Sequence, residues 1–299
     1  MPERLRVGFL GLGAIGRPIA GHLARGHDLA VWNRTAERAE SFATETGATA
    51  MATPRAAAEG RQVVFTCLPN SPELEAVLAG PEGLEAGLSR GSLLVDLTSG
   101  IPGASRRIAE RLAAKGIGFV DAPVSGGVAG AEAGTLTIML GGTDADVARA
   151  LPVLQAFGKR IVPVGPVGAG HALKAVHNAL IAVNIFALGE GLTALAKAGV
   201  APSAALDVIN NANGRSFVSE RLVPERVLTR LWPRTFRLAL LDKDVDIAVQ
   251  LAAEQGIDAP LLEAVSGLLH EAHRELGEDA DHVEAIRLHE RRAGVELRA

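Results

Sequence analysis

From residue 6 onward the chain alternates between two hydrophobic periods. Short apolar runs rich in Val, Leu and Phe recur at residues 6–10, 29–32, 63–68, 93–97 and 118–121. Between them lie Ala-rich segments with helical spacing at residues 15–25, 36–46, 73–78 and 104–115. Near-continuous apolar strands separated by helices predict a parallel sheet covered on both faces. Two further strands are expected at 135–140 and 161–164, with a helix over 144–157 between them, so the sheet carries extra strands at one side. After Gly165 the pattern changes and no strand is expected. Helices are predicted at about 171–198, then at 203–211, 219–228, 236–255, 260–276 and 282–292, punctuated by Pro202, Pro233 and Pro260. The first of these would span about 40 Å at 1.5 Å per residue, long enough to join two domains. The expected class is α/β: a doubly wound sheet in residues 1–165, a long interdomain helix, and an all-α C-terminal domain completing residues 166–299.

Composition narrows the function classes. The 299 residues are 48% hydrophobic and 21% charged, enough to bury a sizeable core. The net charge of -4, with no long basic run, argues against a nucleic-acid partner. A single cysteine, Cys67, excludes an intrachain disulfide and fits a reducing compartment. The opening MPERLRVGFLGLG enters a strand almost at once and lacks the n-region, h-region and small-residue cleavage site of a signal peptide. The most apolar stretch, AVHNALIAVNIFALGEGLTALA at residues 175–196, is near the length of a membrane span. His177, Asn178, Asn184 and Glu190 interrupt it, each at a cost in lipid. A helix buried in a soluble protein or dimer is the expected reading, and with it a cytoplasmic chain with no membrane partner.

The first strand leads directly into GLGAIG. Gly11, Gly13 and Gly16 form G-x-G-x-x-G at a strand-to-helix turn, enclosing Ala14 and Ile15. The first glycine permits the tight turn, the second lets backbone approach a pyrophosphate, and the third lets helix and strand pack closely. With a second strand following, the motif marks a Rossmann-type dinucleotide site rather than a bare turn. An NAD site usually places a carboxylate at the end of that second strand. Here Trp32 is followed by Asn33, Arg34 and Thr35. Arg34 suits a 2′-phosphate, and Asn33 and Thr35 can add hydrogen bonds, so NADP is expected, with NAD possible. Thr35 also stands where it would N-cap the helix over 36–46, and Arg34 is otherwise a solvated surface residue. Cys67 reads as a small packed residue, not a nucleophile. No His, Cys or carboxylate cluster shows metal-ligand spacing, and no metal is expected.

The order of motifs resembles the β-hydroxyacid dehydrogenase family, which includes 3-hydroxyisobutyrate dehydrogenase and 2-hydroxy-3-oxopropionate reductase. The resemblance covers nearly the whole chain. It rests on VGFLGLGAIGRPIAGHL, TCLPNSPELEAVL at Thr66, DAPVSGGVAGAEAGTLTIMLGG at Asp121, GAGHALKAVHN at Gly168 and LLDKDVDIA at Leu240. It implies carboxylate binding by Ser125, Gly126 and Gly127, a turn with a hydroxyl and unobstructed backbone N–H groups at a strand end. It implies Lys174 as general acid or base and Asn178, four residues on and on the same helix face, as its helper. Without the motif, a Lys-x-x-x-Asn pair is an ordinary solvated face. Lys243 and Asp244 match the family's Lys-Asp pair, the lysine reaching toward cofactor or substrate, whereas Asp242 and Asp246 read as a solvated face. Leu68, Pro69, Thr98 and Ser99 follow strands and are matched to cofactor contacts. Arg215 is a weaker substrate candidate, and His177 reads as packing. His171 and His177 flank Lys174 in a pattern that matches no single named activity.

The function expected is hydride transfer between a nicotinamide cofactor and a small 3-hydroxy acid or its semialdehyde, in a homodimer or homotetramer. Reductases for tartronate semialdehyde, succinic semialdehyde or glyoxylate are the alternatives within the family. Imine reductases resemble the fold but generally lack the lysine. A 6-phosphogluconate dehydrogenase would have a much longer helical region and basic residues for a phosphate. A noncatalytic dinucleotide sensor is the alternative from another class, opposed by the joint presence of Lys174, Asn178 and the Ser-Gly-Gly turn.

Overall fold

The computed structural model describes residues 4–299. The chain forms two compact units, Met1–Lys174 and Ala175–Ala299. In the first, strands and helices alternate as β1 (Arg6–Leu10), α1 (Gly16–Ala24), β2 (Asp28–Trp32), α2 (Ala36–Thr46), β3 (Thr49–Ala50), α3 (Pro54–Ala58), β4 (Val63–Thr66), α4 (Ser71–Leu78) and α5 (Leu84–Gly87). They continue as β5 (Leu93–Asp96), α6 (Pro102–Ala113), β6 (Gly118–Asp121), β7 (Val124–Ser125), α7 (Gly127–Ala133), β8 (Leu136–Gly141), α8 (Asp144–Leu154) and β9 (Gly158–Gly165).

The sheet order is β3-β2-β1-β4-β5-β6-β8-β7, with β9 on β8. The first six strands are parallel, in the order of a dinucleotide-binding sheet. β8 is antiparallel to β6 and β7, and β9 runs parallel to β8. Both faces are covered, which explains the continuous apolar runs. On one face Val7, Phe9, Val31, Phe65 and Val95 pack with Ile19 and Leu23 of α1, Phe42 of α2, and Val153 and Leu154 of α8. On the other, Val64, Leu94 and Phe119 pack with Leu74, Leu78, Ile108 and Leu112. Phe65 lies 6.1 Å from Phe9 and 6.1 Å from Phe157 between ring centroids, tying sheet to helix layer.

The reversal of strand order falls between β1 and β4. Gly11 N–H bonds Trp32 O at 3.0 Å and Cys67 N–H bonds Leu10 O at 2.9 Å, so the carboxyl ends of β2, β1 and β4 are fixed to one another. Ligands of doubly wound sheets bind at such a switch point.

α9 (Ala169–Lys197) runs through the division between the units. Strands cease at Gly165, yet the compact unit extends through Lys174, because the first turn of α9 is bonded to the sheet. By length and composition alone α9 is long and apolar enough to cross a membrane. Its buried positions include Ala175, Ala179, Ala182, Ile185 and Phe186, while Leu173, Val176 and Leu180 are exposed.

The second unit is helical: α10 (Pro202–Asn210), a π-helical segment Val218–Val227, α11 (Leu238–Glu254), α12 (Pro260–Leu276), a 3₁₀ turn His282–Ile286 and α13 (Arg287–Ala293). The π-helix replaces the regular helix expected over 219–228. Pro224 inside it has no N–H to donate, and Leu228 N–H reaches back five residues to Val223 O at 3.0 Å. The 3₁₀ turn touches α11, α12, α13 and the π-helix, and Asp281 caps it in a capping box with Glu284.

Candidate active site

The turn from β1 into α1 is shaped by what its glycines exclude. Gly11 has φ +102, and a Cβ there would stand 2.3 Å from Cys67 O. A Cβ on Gly16 would stand 2.0 Å from Gly11 O. Neither position admits a side chain. Gly13 differs, since a Cβ there would meet nothing within 4 Å. Its bare backbone serves no internal packing. It keeps the loop open beside Ala14, Ile15 and the first turn of α1, whose N–H groups lack intrahelical partners. An anionic pyrophosphate fits this cradle.

At the end of β2, Asn33 braces the same loop. Its Oδ1 accepts from Leu12 N–H at 2.9 Å and its Nδ2 donates to Thr35 O at 3.0 Å. Arg34 and Thr35 are exposed. Thr35 occupies the N-cap position of α2, but its hydroxyl makes no capping bond, which corrects the expectation that it caps that helix. No carboxylate occupies residues 32–35 to repel a phosphate.

Behind the β4 and β5 ends, Leu68 N–H donates to Thr98 Oγ1 at 3.2 Å, and Thr98 N–H donates to Asp96 Oδ1 at 3.1 Å. Thr66 Oγ1 donates to the same oxygen at 2.8 Å. Thr98 is buried and braces the two loops, whereas Leu68 and Ser99 are half-buried and Pro69 is exposed. The Cys67 thiol is pushed up to about 12 by burial and by the Asp96 carboxylate, so it is no nucleophile.

β7 ends at Ser125, and Gly126 (φ +135) and Gly127 (φ +63) turn the chain into α7. Ser125 is half-buried and both glycines are exposed. Asp121, at the end of β6, holds the start of α9: Oδ1 accepts Gly168 N–H at 2.7 Å and Oδ2 accepts His171 N–H at 2.9 Å. Burial raises the Asp121 pKa, with His171 and the backbone amides pulling the other way. His171 is 1% exposed, its Nδ1 lies 2.7 Å from Ser105 Oγ, and its Nε2 lies 3.7 Å from Asp96 Oδ2. Sequence reasoning missed this anchor. Its one signal was an aspartate closing each of two adjacent apolar strands, Asp96 opposite Asp121.

Lys174 follows His171 by one turn of α9 and is half-buried; Asn178 lies one turn further and is 2% exposed. Asn178 Nδ2 donates to Asp244 Oδ2 at 2.5 Å, and Lys243 Nζ pairs with Asp244 Oδ1 at 2.7 Å. Two motifs 66 residues apart therefore meet at one carboxylate, itself 2% exposed. Asp244 holds Asn178 and Lys243 in place, a bridging role beyond the substrate contact expected of it. His177 is half-buried and Arg215 exposed.

Asp242 is not part of a solvated face, and Asp246 is only partly so. Asp242 is 8% exposed with Oδ2 2.8 Å from His273 Nδ1, and Asp246 bonds Ser266 and His270. Together with His270 they form a group with metal-ligand proximity. Linear spacing does not show this group, because α11 and α12 each supply part.

The fold agrees with that of the chain's relatives. Residues 6–165 match the NAD binding domain of 6-phosphogluconate dehydrogenase. Residues 168–289 match the NAD-binding domain of NADP-dependent 3-hydroxyisobutyrate dehydrogenase. The 2-(hydroxymethyl)glutarate dehydrogenase of Eubacterium barkeri is 34% identical over 99% of both chains. The 2-hydroxy-3-oxopropionate reductase of Escherichia coli is 33% identical, over 95% of this chain and 98% of the relative. The structure of Mycobacterium tuberculosis 3-hydroxyisobutyrate dehydrogenase with L-serine superposes with a TM-score of 0.87 at 28% identity, covering 96% of this chain and 99% of that one. A nucleotide-binding sheet, a helical second unit and full-length relatives of one kind identify the chain as a member of the β-hydroxyacid dehydrogenase family, an NAD(P)-dependent oxidoreductase acting on CH–OH groups.

Proposed function

We propose that the enzyme prefers NADP(H) and interconverts a short 3-hydroxy acid, of the 3-hydroxyisobutyrate type, with its semialdehyde. The observation that carries this reading is the Asn178–Asp244–Lys243 chain beginning one helical turn from Lys174. Residues 1–165 hold the dinucleotide, and residues 166–299 supply substrate contacts and the oligomer interface. Gly11, Gly13, Ala14, Ile15 and Gly16 cradle the pyrophosphate, with Leu68, Pro69 and Ser99 lining the ribose side and the buried Thr98 holding their loops in place. The nicotinamide, when bound, gives or takes the hydride.

The protein's part is proton transfer and positioning. Lys174 gives a proton to the carbonyl oxygen during reduction and takes it from the hydroxyl during oxidation. Asp244 occupies an N–H of the Asn178 amide, leaving the amide carbonyl as the acceptor that holds a proton donor or substrate hydroxyl. The Ser125-Gly126-Gly127 turn receives the carboxylate through the Ser125 hydroxyl and exposed backbone N–H groups. Lys243, fixed by Asp244, adds positive charge for the acid or the cofactor. The named substrates of the relatives share a carboxylate and an oxygenated carbon bonded directly to its α-carbon, which supports this class. The apolar positions that α9 leaves exposed, Leu173, Val176 and Leu180, support burial against a second copy in a homodimer or homotetramer.

A cofactor-by-substrate matrix tests the reading. NADPH and NADH are followed by absorbance with methylmalonate, tartronate and succinic semialdehydes and glyoxylate, and NADP⁺ and NAD⁺ with 3-hydroxyisobutyrate and glycerate. Turnover with NADP(H) on a 3-hydroxy acid or its semialdehyde is expected. Tight NADPH binding without turnover on any of them favours a sensor and overturns the proposal. Within the same assay, Arg34→Ala should lower kcat/KM for NADPH by about tenfold, the loss of one solvent-screened charge-assisted pair, and change NADH by less than about threefold. Equal losses with both cofactors would show that Arg34 does not read the 2′-phosphate.

A further inference from the structure

α11 is used on two sides. Asp244 bonds Asn178 of α9. At 100° per residue, Asp242 and Asp246 stand four apart on another face, where α12 packs. α12 grips one oxygen of each carboxylate: Asp242 Oδ2 lies 2.8 Å from His273 Nδ1, and Asp246 Oδ1 accepts from Ser266 Oγ at 2.7 Å. The other two oxygens converge on one imidazole nitrogen. Asp242 Oδ1 lies 3.4 Å, and Asp246 Oδ2 3.0 Å, from His270 Nε2.

One of these atoms is an orphan. Asp242 is 8% exposed, and its Oδ1 makes no hydrogen bond among the described residues. A single N–H on His270 Nε2 cannot serve two carboxylates at once, and the bond goes to Asp246. Asp242 Oδ1 is left with the longer 3.4 Å ion-pair contact to His270 and no hydrogen bond, a shortfall that a cation bound between these groups would make up.

We propose that Asp242, Asp246 and His270 form a binding site for a divalent first-row transition ion of the zinc type. The three ligand atoms already lie within 4.8 Å of one another. Ligands about 2.0–2.2 Å from a tetrahedral ion stand roughly 3.3–3.6 Å apart, and the 3.4 and 3.0 Å separations of the two carboxylate oxygens from His270 Nε2 are close to that spacing. An imidazole nitrogen among two carboxylates selects zinc-like ions over magnesium or calcium. Ser266 and His273 orient the carboxylates as outer partners do in metal sites. The His270 and Asp246 side chains are 44% and 39% exposed, giving an entry path and leaving a fourth position to water. Such an ion would clamp α12 to α11, the helix that carries Asp244. This site is separate from the groups assigned to hydride transfer and stands whatever the substrate proves to be.

The test uses tag-free, chelator-treated full-length protein titrated with Co²⁺ and then Zn²⁺. Expected are visible ligand-field bands saturating at one Co²⁺ per chain and bleached by Zn²⁺. The Tm should rise by roughly 5 °C or more at a hundredfold excess of free Zn²⁺ over its Kd. His270→Gln, at an exposed position, should weaken Co²⁺ binding by at least about 100-fold, and His273→Gln by about tenfold. Absence of saturable Co²⁺ binding up to millimolar concentration overturns the site. So does binding of undiminished strength in His270→Gln, which would place the ion elsewhere.

Discussion

Lys174→Ala should leave NADPH affinity within about twofold of wild type and lower turnover by about 10²–10⁴-fold, the range contributed by a positioned proton donor. The split between binding and turnover is what distinguishes a proton-transfer role from a structural one. Lys174 is half-buried, one turn beyond a helix start fixed by Asp121, and the bonds that fix this start and brace the glycine loop are made by Asp121, Asn33 and Thr98, which the substitution leaves in place. Lys174→Arg sharpens the test. It keeps the positive charge, but a guanidinium does not give up a proton in the working pH range, so its turnover should stay near that of the alanine variant. Stopped-flow binding of NADPH and steady-state turnover on the best substrate check both. Turnover within a few-fold of wild type in Lys174→Ala would remove this residue from the mechanism. Asp244→Ala offers a contrast: it removes the carboxylate that bonds Asn178 and Lys243 and keeps Lys174 itself, so a smaller fall in turnover than for Lys174→Ala separates positioning from chemistry.

Much of the frame was legible because the physics that sets it is local. Strands buried on both faces read as unbroken apolar runs, so β1 and β6 fell at the predicted residues and β2, β4 and β5 differed only at their ends. The glycine fingerprint was legible for the same reason, since Gly11 and Gly16 answer clashes with backbone near in space and fixed by strand order. Short elements escaped. β3 has two residues, β7 two, and α7 begins in a glycine pair, so none shows a period long enough to read. The polar architecture of the candidate site was the least legible. Asn33 read as a source of hydrogen bonds for the cofactor, and nothing in the sequence signals that its side chain also spans from Leu12 to Thr35. Asp242 looked solvated because its helix carries charges at three alternate positions; His273, 31 residues on, shows otherwise. A carboxylate's partner is chosen by packing between helices, and one sequence read alone carries no signal of it. Lys174, Asn178, Lys243 and Asp244 were found only through the motif resemblance.

Asp281→Ala should destabilise the helical unit by about 3–5 kcal/mol, the cost of stripping a buried charge from partners that remain. Asp281 is 1% exposed. Its Oδ2 accepts the Thr235 and Phe236 N–H groups at 2.8 and 3.1 Å and the Thr235 hydroxyl at 3.0 Å. Its Oδ1 lies 3.1 Å from Arg226 Nη1 and 3.0 Å from His282 Nδ1, and accepts Val283 N–H at 3.2 Å. The alanine leaves those donors, and a mostly buried Arg226, without a carboxylate. Burial by itself favours the neutral acid, but the bond and charge of His282 and the two backbone amides outweigh it and hold the Asp281 pKa well below its ordinary value. The sign of the pH dependence follows. A carboxyl whose folded pKa is depressed contributes its full stabilisation above the unfolded value near 4, and loses it as pH falls toward the folded value. Urea unfolding should therefore show Asp281→Asn, which keeps one acceptor but no charge, clearly weaker than wild type at pH 7. The gap should narrow below about pH 4. A gap of the same size at pH 3 and pH 7 would mean that geometry, not charge, carries the effect. The consequence reaches the candidate site, because Asp281 pins Thr235 and Phe236 just ahead of α11, the helix that presents Lys243 and Asp244. Loss of activity at temperatures where Asp281→Ala still gives a native far-ultraviolet spectrum would show that this brace sets the start of α11 as well as the stability of the unit.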